Sequence, residues 1–209
     1  FARGGRRLAR WNGSDRQGAA GGVSGSSVSV GTLGKTRGWA LPISRDSVWA
    51  LARPYDAVFE MDCDFSHNPD DLLRLTAELE AGADVAVGSR YSKGVTVVNW
   101  PMSRLLMSYC ASRYVRIVTG MPVCDATAGF VGYKREVLAA IDFDRIEMVG
   151  YGFQIEMKYT AWKMGFRIGE VPIIFADRTE GTSKMSGGIF GEAFFGVLAL
   201  PFRTIARKK

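Results

Sequence analysis

The chain has 209 residues, an ordinary apolar content of 47 % and a formal charge of +6. That length suits one domain with a substantial core, and no apolar run is long enough to span a bilayer. Three cysteines (Cys63, Cys110 and Cys124) without metal-type spacing favour a reduced, cytosolic setting over a disulfide framework, and no secretory signal peptide is read at the start.

The charge is unevenly placed. Residues 1–48 carry eight Lys/Arg against two Asp, a surplus of six, whereas residues 49–209 carry nineteen of each sign. The basic part has almost no aromatics to stack on bases, which argues against a nucleic-acid partner. Its Gly, Arg and Ser content, as in GGRRLAR and GAAGGVSGSS, reads as a flexible basic arm. The genetic code offers a second explanation. Read from the third base of each codon, codons allowed for residues 38–48 can encode LGTAYIAGFR, an amphipathic peptide leading into ALARPYDAVFEMD. Residues 1 to about 48 are therefore expected to be an out-of-frame translation, with coincidence through codon degeneracy as the alternative.

In chain order, Ser47–Arg53 is predicted to continue a helix, and Ala57–Met61 reads as a buried strand running into Asp62 and Asp64. Asn68-Pro69 followed by two acids opens a helix over Pro69–Ala81. Ligands of α/β sheets sit at the carboxyl ends of strands. Two carboxylates spaced i and i+2 there can reach a hard divalent cation, which takes oxygen ligands and shares them with substrate phosphates. A helix cap beside a solvated acid explains the same residues. Cys63, between the acids, reads as packing, and His67, the single histidine, as a helix-entry residue rather than a base.

Ala83–Gly88 is a second strand, ending in Gly88-Ser89-Arg90-Tyr91. Arg90 suits a phosphate there, or a surface salt bridge. Gly94–Asn99 is a loop, and Pro101–Val118 is a helix carrying Arg104, Arg113 and Arg116. Met121–Phe130 is irregular and places Asp125 and Thr127 before the strand Val131–Tyr133, although a turn cap explains Asp125 equally well. Glu136–Ile141 is a short helix, and Gly150–Gly165 a longer one with Gln154 and Glu156. Ile168–Phe175 alternates as a strand and delivers Asp177, Arg178 and a Gly/Ser loop, Glu180–Lys184. Its cations either close over phosphate oxygens or stay solvated. The apolar stretch Ile189–Ile205 with Arg203, Arg207, Lys208 and Lys209 suits an amphipathic helix over residues 187–209 on an anionic membrane surface, or packing against the domain.

Taken in order, EMDCDFSHNPDDL, GSRY, Asn99-Trp100-Pro101 with Ser103-Arg104, CDATAGFVGY, GYGFQIEM and IGEVPIIFADRTEGTSKMS resemble the polyprenol-monophosphate (dolichol-phosphate) mannosyltransferases, family-2 glycosyltransferases of GT-A (Rossmann-like α/β) fold. The resemblance covers residues 49–209, and the hidden peptide GTAYIAGF resembles the family segment before this strand. It implies inverting transfer of mannose from GDP-mannose to a polyprenyl or dolichyl phosphate. Asp62 and Asp64 would hold Mg²⁺ or Mn²⁺, with Ser66 at a position commonly Gln in the family. Asp64, Arg90, Arg178 and Lys184 would serve catalysis at the diphosphate. Arg104, Asp125, Thr127, Gln154, Glu156 and Ser183 would contact substrate. The resemblance also implies peripheral attachment to the cytoplasmic face of a membrane, with room for a separate anchoring subunit.

A lipid phosphate is already anionic at neutral pH and can attack without a strong general base, so the lack of a His/Ser/Asp constellation is no objection. The family's guanosine-gripping motifs, Pro-Thr-Tyr-Asn-Glu and an Asp-Asp-x-Ser-Pro-Asp-Gly-like run, are not readable in residues 1–48. The nucleotide-binding half is thus expected to be missing or scrambled, and the sheet to lack neighbouring strands there. Transfer of another hexose, and a catalytically inactive membrane-associated fragment, are the alternatives.

Overall fold

The computed structural model describes residues 7–11, 27–32, 47–62, 64–177 and 187–208. A helical turn over residues 47–51 (α1) precedes the central strand β3 (Ala57–Met61). The side-chain oxygen of Asn68 then accepts from the Asp70 N–H at 3.1 Å, and α2 (Asp71–Glu80) follows. Next come β4 (Val85–Ser89), the two-residue β5 (Val97–Val98) and α3 (Met102–Thr119), which ends at Gly120 in the left-handed conformation with φ 72°. β6 (Val131–Lys134), α4 (Arg135–Ala140), α5 (Tyr151–Lys163), β7 (Ile168–Pro172), β8 (Phe175–Ala176) and α6 (Gly187–Ala199) complete the order. Most expected elements of residues 49–205 form within a residue or two of their predicted bounds.

Two differences stand out. The stretch read as a strandless arm contributes β1 (Arg7–Trp11) and β2 (Ser27–Thr32), and β2 lies parallel beside β3. The sheet therefore does not lack neighbours on that side; short alternating runs inside Gly- and Ser-rich sequence give too weak a period to signal strands. The remainder of that stretch, and with it the reading-frame expectation, lies outside the described residues. The second difference is the expected strand Ile168–Phe175, which is split. Pro172 has no N–H to continue the ladder, and β8 pairs instead with β5, inside the expected loop Gly94–Asn99.

The main sheet has the order β1-β2-β3-β6-β4-β7, with β6 antiparallel to both its neighbours. Alternation along the strands divides the core into two faces. On one, Leu72, Leu75 and Leu79 of α2 pack on Phe59, Ala86, Phe130 and Val171. On the other, Phe153, Met157 and Ala161 of α5 pack on Val85, Val87, Val131 and Tyr133. Full burial of such side chains contributes about 1.5–3 kcal/mol each. Gly132 stands opposite Phe59 in the β3–β6 register, and the Phe59 ring fills the space a Cβ would take.

Helix α5 is buried on all sides from Gly152 to Ala161. Its outer face, Ile155 and Tyr159, meets Val115 and Met121 beside Val197 and Leu200, so the helix lies between the sheet and the layer containing α3 and α6. Such a helix lacks a polar face by which to recognise its orientation from sequence.

Candidate functional site

The carboxyl end of β3 carries the candidate cation pair. Asp62 and Asp64 are both half-buried. Phe65, at φ 63° and 83 % exposed, turns the chain sharply after them. The Ser66 N–H donates to Asp64 Oδ1 at 3.2 Å, and the Ser66 carbonyl accepts from the Ala176 N–H at 3.2 Å. Ser66 Oγ is buried without a hydrogen-bond partner among the described residues. A Cβ on Gly129 would stand 3.9 Å from Asp62 Oδ2, an ordinary contact distance, so the Ala128–Gly129 segment borders the Asp62 carboxylate.

This donor set fits a hard divalent cation that shares its ligands with a substrate. Two carboxylates and one spare hydroxyl are all oxygen, and among the described residues no cluster of three or more His, Cys, Asp or Glu forms a self-sufficient cage.

His67 sits behind the acids, its Nε2 3.9 Å from Asp62 Oδ2, between the rings of Phe130 and Phe175 at 5.0 and 4.9 Å. Burial lowers its pKa from 6.5 to about 4, against the opposing pull of Asp64 and with the help of Arg90. A neutral ring packed in this way is a wall of the site, in keeping with its expected role away from base chemistry.

Phe175 continues the wall to the arginines. Arg90 lies over Phe175, Trp100 and Tyr91 at 5.6, 5.4 and 5.2 Å, and Arg104 lies over the other reach of Trp100 at 4.1 Å. Arg90 donates through Nε and Nη2 to the two Asp125 oxygens at 2.7 and 2.6 Å, and through Nη2 to Thr127 Oγ1 at 2.9 Å. Burial opposes its charge, yet Asp125 more than offsets this and holds its pKa above the ordinary value. Asp125 is fully buried, and its backbone N–H donates to Glu170 Oε1 at 3.1 Å. Arg90, Asp125 and Thr127 are thus brought together as one buried network whose hydrogen bonds face each other. Arg104 donates to Asp177 Oδ1 at 2.8 Å, immediately after β8.

Gln154 and Glu156 part company on α5. Gln154 Nε2 donates to Glu60 Oε2 at 2.8 Å, beneath the cation pair, while its Oε1 has no hydrogen-bond partner among the described residues. Glu156 faces away, accepting from the Glu147 and Met148 N–H groups at 3.0 and 2.7 Å; burial raises its pKa against those two donors. Arg178, Ser183 and Lys184 lie outside the described residues. Glu60, Trp100, Lys158 and Glu170 surround these groups and were assigned no role from sequence. Trp100 was open to notice, standing between a strand end and an arginine-bearing helix, but Lys158 resembles a solvated helix lysine until the burial of α5 is known.

Residues 35–142 match the family described as glycosyl transferase family 2, and the chain belongs to that family. Undecaprenyl-phosphate mannosyltransferase of Micrococcus luteus is 48 % identical over 149 residues, covering 71 % of this chain and 61 % of that protein. Polyprenol monophosphomannose synthase of Mycolicibacterium smegmatis is likewise 48 % identical over 149 residues, covering 71 % of this chain and 56 % of that protein. The chain thus spans less than two thirds of the length of either relative. Glucosyl-3-phosphoglycerate synthase of Mycobacterium tuberculosis, in complex with phosphoglyceric acid, aligns with a TM-score of 0.58 at 14 % identity, covering 81 % of this chain and 57 % of that one. The same enzyme in complex with Mn²⁺ and UDP-glucose gives 0.52 at 16 % identity, covering 80 % and 54 %. This likeness is one of fold, and the fold is GT-A.

Proposed function

We propose that this chain is the catalytic part of a polyprenyl-phosphate mannosyltransferase, transferring mannose from GDP-mannose to a polyprenyl or dolichyl phosphate with inversion. The observation that carries the reading is the pairing of Asp62 and Asp64 at the carboxyl end of β3 in a chain 48 % identical to two proteins named for this lipid chemistry. Asp62 and Asp64, with Ser66 Oγ alongside, would hold Mg²⁺ or Mn²⁺, and a related fold has been solved with Mn²⁺ and UDP-glucose. Such an ion supplies charge neutralisation at the donor diphosphate. Arg104, Arg178 and Lys184 would supply the remaining positive charge for the acceptor and leaving groups, and Arg90 holds the loop bearing Asp125 and Thr127. An anionic lipid phosphate attacks without a general base, so positioning and charge carry the catalysis.

Attachment at the cytoplasmic face of a membrane is part of the same reading. No helix among the described residues is long and apolar enough to cross a bilayer. Phe195 and Phe202 are 69 % and 90 % exposed at the end of the chain that also carries Arg207 and Lys208. A separate anchoring subunit would be compatible with that surface.

Incubation with radiolabelled GDP-mannose and a polyprenyl phosphate tests the proposal. Label is expected to enter the organic phase, to stop on chelation, and to fall by about a hundredfold or more in Asp64→Asn. Transfer that ignores both chelation and the substitution would overturn the metal reading. Folded protein giving no transfer from any nucleotide sugar would favour the inactive fragment.

A further inference from the structure

Gln154 and Lys158 stand four residues apart on α5, on one face of the helix. Gln154 donates to Glu60 Oε2 at 2.8 Å, and Lys158 Nζ donates to the Ala128 carbonyl at 2.7 Å. Glu60 lies on β3 two residues before Asp62, and Ala128 directly precedes Gly129, where an added Cβ would stand 3.9 Å from Asp62 Oδ2. Lys158 therefore holds the backbone next to Gly129, and Gln154 holds the Glu60 side chain on the strand that leads into Asp62.

Lys158 is a costly choice for this place. It is fully buried, and an enclosed ammonium is unfavourable unless neighbouring charge compensates it, whereas a methionine of similar length would pack without that penalty. Asp125, Glu60 and Glu170 provide negative charge around it and Arg90 opposes. The polar network beneath the sheet thus converges on the segment facing the cation pair. Groups that orient metal ligands from behind commonly alter affinity tenfold or more when removed.

We infer that Lys158 is a positioning residue for the divalent-cation site: it pins the Ala128–Gly129 peptide beside Asp62, while Gln154 holds the Glu60 side chain on β3. The inference rests on the reading of Asp62 and Asp64 as the cation pair. Lys158 holds backbone and does not touch the ion.

The test is Mn²⁺ affinity, measured by electron paramagnetic resonance on the full chain with GDP present, in the parent, Lys158→Met, Lys158→Arg and Asp64→Asn. Melting temperature is recorded in parallel. Lys158→Met is expected to weaken Mn²⁺ binding about tenfold, with partial recovery in Lys158→Arg. A purely structural role would lower the melting temperature of Lys158→Met and leave the Mn²⁺ affinity of its folded fraction unchanged, and that result overturns the inference. Should Lys158→Met fail to fold, Lys158→Gln decides by the same criterion. Loss of binding in Asp64→Asn with parental affinity in the Lys158 variants sinks this inference alone. Mn²⁺ binding that is absent from the parent, or indifferent to Asp64→Asn, sinks the metal reading and this inference together.

Discussion

Arg90 reaches Asp125 across thirty-five positions of sequence and grips it side-on, and the Arg90 backbone N–H adds a further bond to Asp125 Oδ2 at 3.0 Å. The end of β4 is thereby locked to the loop before β6. Removing one partner of a buried pair strands the other's charge, at a cost of about 3–5 kcal/mol. Asp125→Ala is expected to lose that much in urea denaturation. Arg90→Lys keeps the charge but not the fork, so it should lose less. If Arg90 also meets the donor diphosphate, Arg90→Lys will lower turnover beyond what its folded fraction explains. Turnover that tracks the folded fraction assigns Arg90 to the loop alone.

The neutral His67 ring gives stability a pH dependence. Its folded pKa, about 4, lies below its unfolded value of 6.5. Between those values the unfolded chain binds a proton that the folded chain refuses, so its contribution is present above pH 6.5 and is lost as pH falls through about 4. The amount is about 3 kcal/mol. Denaturant titrations at pH 7 and pH 4.5 should show a shallower fall in His67→Phe than in the parent. Equal slopes would mean that His67 charges freely in the folded protein.

Two strand glycines should respond differently to alanine. At Gly132 the added Cβ meets the Phe59 ring, which is fully buried and cannot retreat. Overpacking of this kind costs about 1–3 kcal/mol. At Gly169 the Cβ meets the half-buried side chain of Glu78 on α2, which must shift but can change rotamer where the Phe59 ring cannot. Gly169→Ala is therefore expected to cost less than Gly132→Ala. Thermal melts of the two variants side by side check the contrast.

The apolar end of the chain should bind anionic vesicles. Phe194 stacks on Tyr114 at 4.7 Å and joins α6 to α3, whose exposed Ile117 lies among Arg113 and Arg116. Each basic residue near such a surface contributes about 1 kcal/mol, and salt weakens that share. Co-sedimentation with phosphatidylserine vesicles should fall at high salt and fall again in Phe195→Ser/Phe202→Ser. Binding indifferent to both would place the membrane contact elsewhere.

The sequence was most informative where chemistry and period coincide. Asp62 and Asp64 follow a strand that is apolar except for Glu60 and precede an Asn-Pro helix start, so their place at a strand end is local information. The partners of Arg90 and Gln154 were not legible, because those contacts join residues far apart in the chain and depend on sheet order. Gln154 and Glu156 looked like one polar group in sequence, yet residues two apart on a helix face different ways, and only Gln154 turns toward the site. Lys158 was hidden for a related reason: nothing local announces that a helix carrying Gln, Glu and Lys is enclosed on every side. β1 and β2 were missed because short strands set in Gly- and Ser-rich sequence draw their stability from the neighbours they pair with.

The enclosure of α5 also gives the molecule an internal clock. No face of residues 152–161 meets solvent, so their amide protons can exchange with water only when the sheet and the α3/α6 layer part together. Exchange at Met157, inside the helix, therefore measures whole-domain opening, whereas the amides around Phe65, on an exposed turn, report local opening alone. A ligand that quiets the turn without slowing Met157 has ordered the site; one that slows both has stabilised the fold.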